Sequence, residues 1–188
     1  MELIYKYYID IVISKEGFEL DSKSLRDIKN IIKKIHHLNK NNKNLALSFP
    51  KYKEGEHKTL GNVVRIFAQS EKELIDTIED IEKTWHLLHL KISKVKEFII
   101  NNKTVFYEFL KFQVPGKNNK KPSLKSGYRE ERKVKADNYP YVVIDSSSTN
   151  QKYSLIIQRK ESELFQEGAN NYGLSSANTK ISIPNNVD

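Results

Sequence analysis

Leu3-Ile4-Tyr5-Lys6-Tyr7-Tyr8-Ile9-Asp10-Ile11-Val12-Ile13 alternates, with Tyr7, Ile9, Ile11 and Ile13 on one face and Tyr8, Asp10 and Val12 on the other. A period of two is the pleat of a strand. The next segment changes period: Leu25, Ile28, Ile31, Ile32, Ile35 and Leu38 recur at the steps that line up one face of a helix. Ser24, with Asp27 three residues on, gives a capping signal at its start, and the Asn and Lys run from Asn39 to Asn44 ends it.

The same two periods carry the reading outward. Leu45 to Phe49 and Leu60 to Ala68 are rich in strand formers and separated by the polar loop Lys51 to Thr59, so a hairpin is predicted. Ser70 to Glu73 opens a second helix with Leu74, Ile78 and Ile81 on one face, and Leu87 to Ile92 reads as a fourth strand. The order β-α-β-β-α-β is that of the ferredoxin-like or RRM-like unit, expected here over residues 1–95. Residues 96–188 are expected to form a smaller α+β domain. In it, strands run from Val105 to Val114, Tyr141 to Asp145 and Tyr153 to Arg159, the last two flanking the turn-rich Ser146-Ser147-Ser148-Thr149-Asn150. No linker-like stretch divides the halves, which predicts that they pack closely.

The chain has 188 residues, no cysteine and a formal charge of +8. The absence of cysteine removes disulfides, thiolate zinc sites and thiol nucleophiles, and suits a reducing, cytoplasmic setting. The start of the chain lacks the charged-then-apolar layout of a signal peptide, and no apolar run approaches a membrane span, so no membrane partner is expected. The charge is concentrated. Lys111, Lys117, Lys120, Lys121, Lys125, Arg129, Arg132, Lys133 and Lys135 face only Glu130 and Glu131 between residues 111 and 135, a local surplus of seven. Such a segment neutralises phosphates, which points to nucleic acid; a solvated loop is the alternative reading. Gly116, Pro122 and Gly127 punctuate it, so any helix there is short and begins after Pro122 or after Gly127.

RNA cleavage needs neither a protein nucleophile nor a metal, because the ribose 2′-hydroxyl can attack the adjacent phosphate. The protein must supply a base, and histidine, with an ordinary pKa of about 6.5, is suited to that role. His36 and His37 adjoin. At about 100° per residue, His36 falls at the edge of the apolar stripe and His37 points away from it. His36 is therefore the candidate and His37 is predicted to be solvated; a half-buried structural role for His36 fits the spacing equally well. His86 and His89 fall around a strand start, where residues three apart face opposite sides, and no carboxylate accompanies them, so no metal site is expected. His57 lies in a loop without an assigned role. Tyr107, Phe109, Lys111 and Gln113 share one strand face, which projects a cation and an amide together just before the basic segment.

Several short motifs occur in a telling order: Lys34-Ile35-His36, Leu47-Ser48-Phe49-Pro50, Leu60-Gly61, Ser146-Ser147-Ser148-Thr149-Asn150-Gln151 and Tyr172-Gly173-Leu174-Ser175. On these the chain resembles, over nearly its whole length, the Csy-type CRISPR-associated endoribonuclease of type I-F systems, which cuts precursor CRISPR RNA at each repeat hairpin.

The resemblance implies a ferredoxin-like N-terminal domain and a C-terminal domain carrying a basic element to the RNA hairpin. It implies His36 as the proton-transfer residue, Ser146 as the residue holding the attacking 2′-hydroxyl or its ribose, Ser148 as a neighbouring contact and Tyr172 as a support of the active site. Tyr153 falls where the family stacks an aromatic ring under the closing base pair, a contact worth about 1–3 kcal/mol per base. Lys111 and Gln113 align with its readers of the stem, with Lys in place of the forked Arg. The basic segment, with Lys117, Lys120, Lys121, Lys125, Arg129, Arg132 and Lys133, is shorter and richer in lysine than the family's arginine-rich helix. The chain ends Ile183-Pro184-Asn185-Asn186-Val187-Asp188 rather than on aromatic residues. The expected activity is metal-independent and cofactor-free, leaves a 2′,3′-cyclic phosphate and retains the product RNA, within the surveillance complex of a type I-F system. A structural hairpin-binding subunit that does not cut is the alternative; a general RRM-like module is disfavoured, because Leu60 to Ala68 lacks the aromatic and glycine pattern of RRM strands.

Overall fold

The computed structural model describes residues 4–13, 21–84, 90–116, 127–145, 151–164, 166–176 and 178–184. The fold is α+β, with two antiparallel sheets and three helices among the described residues.

The first strand, β1 (Tyr7–Val12), lies at the centre of one sheet. β2 (Ala46–Ser48) and β3 (Val63–Ala68) pair antiparallel as the hairpin pattern predicts, with Leu47 opposite Ile66. β3 in turn pairs with β1, placing Ile9 opposite Ile66 and Asp10 opposite Arg65. On the other edge of β1 lie β4 (Lys91–Ile92) and then β5 (Lys96–Glu97). The order is β2-β3-β1-β4, with β5 continuing along β1. Of the strand expected from Leu87 to Ile92, residues 87–89 lie outside the described residues, and pairing continues to Glu97.

Both faces of β1 are covered. Ile9 and Ile11 are fully buried beneath the helices, and Tyr8, on the face that alternation assigns to polar groups, is 7% exposed. Tyr8 packs on Phe67 and Phe98, and the Arg65 guanidinium sits 4.3 Å over its ring while making a two-pronged bond to Asp10 at 2.7 and 3.1 Å. Aromatic and cationic partners thus replace water on that face.

Helix α1 (Ser22–Lys40) buries Ile28, Ile31, Ile32, Ile35 and Leu38. Two details differ from the sequence expectation. Asp21, not Ser24, caps the helix by accepting the Ser24 backbone N–H at 2.7 Å, and Ser24 is itself buried. Leu25 is 40% exposed, because the buried stripe runs through Ser24, Asp27 and Ile28 and leaves Leu25 at its edge. Helix α2 (Glu71–Glu82) starts at Ser70, whose hydroxyl accepts the Glu73 N–H, and buries Leu74, Thr77 and Ile81.

The second sheet has the order β7-β8-β6-β9, formed by β6 (Phe106–Phe112), β7 (Tyr141–Asp145), β8 (Lys152–Ser162) and β9 (Ile183–Pro184). Helix α3 (Tyr128–Ala136) begins directly after Gly127, one of the two starts that the basic segment allows. Ile183 and Pro184, both buried, pair with Tyr107 and Phe106 at the edge of β6. One apolar cluster runs through both sheets, joining Ile9, Ile31 and Phe67 to Phe109, Ile144 and Ile157. Tyr52 ties them further, its ring against Phe109 and its hydroxyl donating to the Ile157 carbonyl at 2.8 Å. The close packing expected of the two halves is present.

Candidate active site

At the seam between α1 and the second sheet lies a cleft of about 460 Å³, lined by His36, Leu110, Lys111, Gln113, Arg132, Asn170, Asn171, Tyr172, Ser175 and Ser176. Among the described residues no carboxylate lines it. Beyond Lys111, Gln113 and Arg132 it continues into a second hollow of about 620 Å³ against Gly116, Tyr128 and Ser154.

His36 reaches the cleft because it sits one residue beyond the buried Ile35, at the rim of the apolar stripe. His36 is half-buried and His37 is exposed, as the helical angles require. The His36 imidazole lies flat on the Tyr172 ring, with centroids 4.2 Å apart and planes inclined by 10°. Its Nδ1 is buried without a hydrogen-bond partner among the described residues. Burial, reinforced by the positive charge of Lys40, holds the His36 pKa below the ordinary histidine value; the Asn171 backbone opposes this shift, and His37 and Lys111 add to it. The ring is consequently neutral at neutral pH and free to take a proton.

Tyr172 is held by the turn that carries it. The Asn170 side-chain oxygen accepts the N–H groups of Tyr172 at 2.8 Å and Leu174 at 3.3 Å. Gly173 adopts φ +73°, and a Cβ there would lie 2.9 Å from Leu47 Cγ. The closeness is needed because the Leu47 N–H donates to the Gly173 carbonyl at 2.7 Å. On the far side Ser175 donates its N–H to the Phe109 carbonyl and its hydroxyl to Glu108. Asn39, one turn after His36 on α1, donates to the carbonyls of Leu45 and Asn170. Histidine and tyrosine are thereby locked to the same scaffold.

Tyr153 of β8 brings its hydroxyl within 2.5 Å of the Tyr172 hydroxyl. Burial and this contact raise the Tyr153 pKa, so the phenol keeps its proton. Lys111 of β6 lies with Nζ 5.3 Å from the Tyr153 ring centre and 5.6 Å from that of Tyr172. His36, Tyr172, Tyr153 and Lys111, far apart in the chain, thus form one assembly.

The other expected site residues lie around this assembly or outside the described residues. Arg129 donates to the Pro115 carbonyl at 3.0 Å. Arg132 donates twice to the Gln113 carbonyl and lies 3.6 Å over the Phe112 ring. Both arginines fasten α3 to the exit of β6, although Arg132 also lines the cleft. Lys133 and Gln113 are exposed. Ser146, Ser148, Lys117, Lys120, Lys121, Lys125, His86 and His89 lie outside the described residues. Asp145, immediately before Ser146 in the chain, pairs with Lys29 at 2.5 Å, which lowers the Asp145 pKa and joins the end of β7 to α1. His57 is exposed, in a groove lined by Leu25, Tyr141 and Val143.

Sequence reasoning missed Asn170, Asn39, Glu108 and the Lys29–Asp145 pair. Asn170-Asn171-Tyr172-Gly173 did carry a local signal, since Asn and Gly together mark a tight turn. Glu108 and the Lys29–Asp145 pair depend on long-range neighbours, and Asn39 joins the nearby Leu45 backbone to the distant Asn170 carbonyl.

These features define an α+β protein with a cationic cleft arranged around one neutral histidine. The chain belongs to the Cas_Csy4 family: the family model described as "CRISPR-associated protein (Cas_Csy4)" matches residues 8–185. That is a family of CRISPR endoribonucleases, so the chain is tied to CRISPR-related RNA processing or binding. A comparison with curated proteins returns no match.

Proposed function

We propose that this protein is a metal-independent endoribonuclease that cuts precursor CRISPR RNA at the base of the repeat hairpin and keeps the product. The observation that carries this is the His36 imidazole, held neutral and stacked on Tyr172 in a cleft whose other polar groups are cationic or uncharged. His36 takes the proton of the 2′-hydroxyl as that oxygen attacks the adjacent phosphorus. The bond to the 5′-oxygen breaks, and a 2′,3′-cyclic phosphate is left on the upstream fragment. Ser146 holds the attacking nucleotide, and Tyr172 fixes the imidazole plane. A base of this kind contributes roughly 10²–10⁴ in rate.

Among the described residues no group of three His, Asp or Glu side chains converges. The strand order β2-β3-β1-β4 supports a ferredoxin-like arrangement for residues 1–95, with residues 96–188 as the RNA-recognition part. Ser148, Tyr153, Gln113 and the basic residues from Lys117 to Lys133 hold the hairpin, and the cleft continuing past Gln113 and Arg132 supports an RNA path toward α3. Among the described residues no helix is long and apolar enough to cross a membrane. The protein works in the cytoplasm, as a subunit of a crRNA-guided type I-F complex.

The test is incubation with the repeat RNA in chelator, wild type beside His36→Ala and His37→Ala. Cutting by wild type and His37→Ala, and none by His36→Ala, is the expected result. Cutting by His36→Ala removes the catalytic assignment; hairpin binding without cutting by the wild type leaves a structural RNA-binding subunit.

A further inference from the structure

Lys111 aligns with a base-reading position, but its ammonium is drawn inward. It sits against the rings of Tyr153 and Tyr172, in the same cleft as His36 and against the same tyrosine on which His36 stacks. It is half-buried, and no carboxylate among the described residues forms an ion pair with it. The other basic side chain of the cleft, Arg132, has its guanidinium bonded to the Gln113 carbonyl. Arg132 is thus committed to holding the exit of β6, whereas the Lys111 ammonium makes no hydrogen bond or ion pair to another described residue, and it stands beside the proposed base.

We infer that Lys111 is the general acid of the cleavage reaction, giving its proton to the departing 5′-oxygen, rather than a reader of the hairpin stem. This rests on the cleavage reaction proposed above. Transesterification transfers two protons. One leaves the 2′-hydroxyl for His36 as the bond from O2′ to phosphorus forms. When the bond from phosphorus to O5′ breaks, its electron pair stays on O5′, which must gain a proton. His36 is then already engaged as the base, and the two tyrosine hydroxyls are bonded to each other. An ammonium is a donor only and carries three protons. Lysine then regains a proton from water as His36 releases one, and the site is restored. The tyrosine ring faces hold the cation by charge–quadrupole attraction without removing its donors. Lysine in place of a forked arginine also fits this role, since a guanidinium keeps its proton at all ordinary pH.

The experiment compares two repeat hairpins, one with the natural 5′-oxygen at the scissile bond and one with bridging 5′-sulfur, whose thiolate leaves without protonation. Each is cut under single-turnover conditions at saturating protein by wild type, Lys111→Met and Lys111→Arg. Affinity is measured on a 2′-deoxy hairpin that cannot be cut. On the oxygen substrate Lys111→Met should be slower by about 10² or more, on the sulfur substrate within a few-fold of wild type, with affinity for the deoxy hairpin little changed. Lys111→Arg keeps the charge and the ring contacts, so it decides the matter if the Met variant does not fold: its deficit too should vanish with sulfur. Equal slowing on both substrates, or weakened affinity with a wild-type rate at saturation, overturns the assignment of Lys111 alone. A wild-type protein that cuts neither hairpin overturns the cleavage reaction and this assignment with it.

Discussion

The His36 imidazole and the Tyr172 ring lie nearly parallel, 4.2 Å apart, on elements separated by most of the chain. The contact fixes the ring plane, and it places the imidazole where burial and Lys40 disfavour its charged form. Catalysis by the neutral ring should therefore rise as pH climbs through the depressed His36 pKa and level off near neutrality. Lys40→Gln removes a positive neighbour, stabilises the imidazolium and raises that pKa. The acid limb of the single-turnover rate should move to higher pH, with the plateau rate unchanged. An unmoved limb would assign it to another group.

Tyr172 is anchored at its hydroxyl by Tyr153 and at its backbone by Asn170. Tyr172→Phe keeps the stack and loses only the hydroxyl contact, so cleavage should fall modestly, by less than about tenfold, the loss of one net hydrogen bond of roughly 0.5–1.5 kcal/mol. Tyr172→Ala removes the stack and should cost far more. Rates measured at saturating protein separate the two.

Gly173 combines a left-handed backbone with close approach to Leu47. Gly173→Ala strains the turn and pushes on β2, and should lower stability by about 1–3 kcal/mol, read as a reduced melting temperature. Cleavage should fall as well, because the same turn positions Tyr172.

Arg132 and Lys133 are adjacent in sequence and different in role. Arg132→Ala frees α3 from the Gln113 carbonyl and the Phe112 ring, so melting temperature and hairpin affinity should fall together. Lys133→Ala should leave the melting temperature unchanged and reduce the salt dependence of binding by roughly one phosphate contact. Salt titrations of the two variants, beside thermal melts, check the distinction.

Ile35→Ala empties a fully buried position beside His36. A loss of about 2–5 kcal/mol is expected from denaturant unfolding.

Local periodicity determined much of this protein. β1, α1, the β2–β3 hairpin, α2 and β7 follow from side-chain spacing and turn residues acting on neighbours in the chain, and for α3 the same signals allowed two starts, of which the structure takes the one after Gly127. The choice of His36 over His37 follows from the same geometry, since one residue step on a helix rotates a side chain by about 100°. Burial of Tyr8 did not follow, because alternation along β1 says nothing of Arg65 and Phe98 arriving from elsewhere to cover its second face. Nor did the anchoring of Arg129 and Arg132 to backbone carbonyls, which a count of charges reads as surface.

Only the tertiary structure decided what surrounds His36. The stack on Tyr172, the hydroxyl pair with Tyr153 and the inward ammonium of Lys111 join α1, β6, β8 and the turn at residues 170–176. Such contacts are set by which faces must be buried together, a long-range condition that no local pattern encodes. The sequence alone supplied a histidine at the edge of a helix; packing two sheets around one core made its environment a cleft that can hold a neutral base beside a cation.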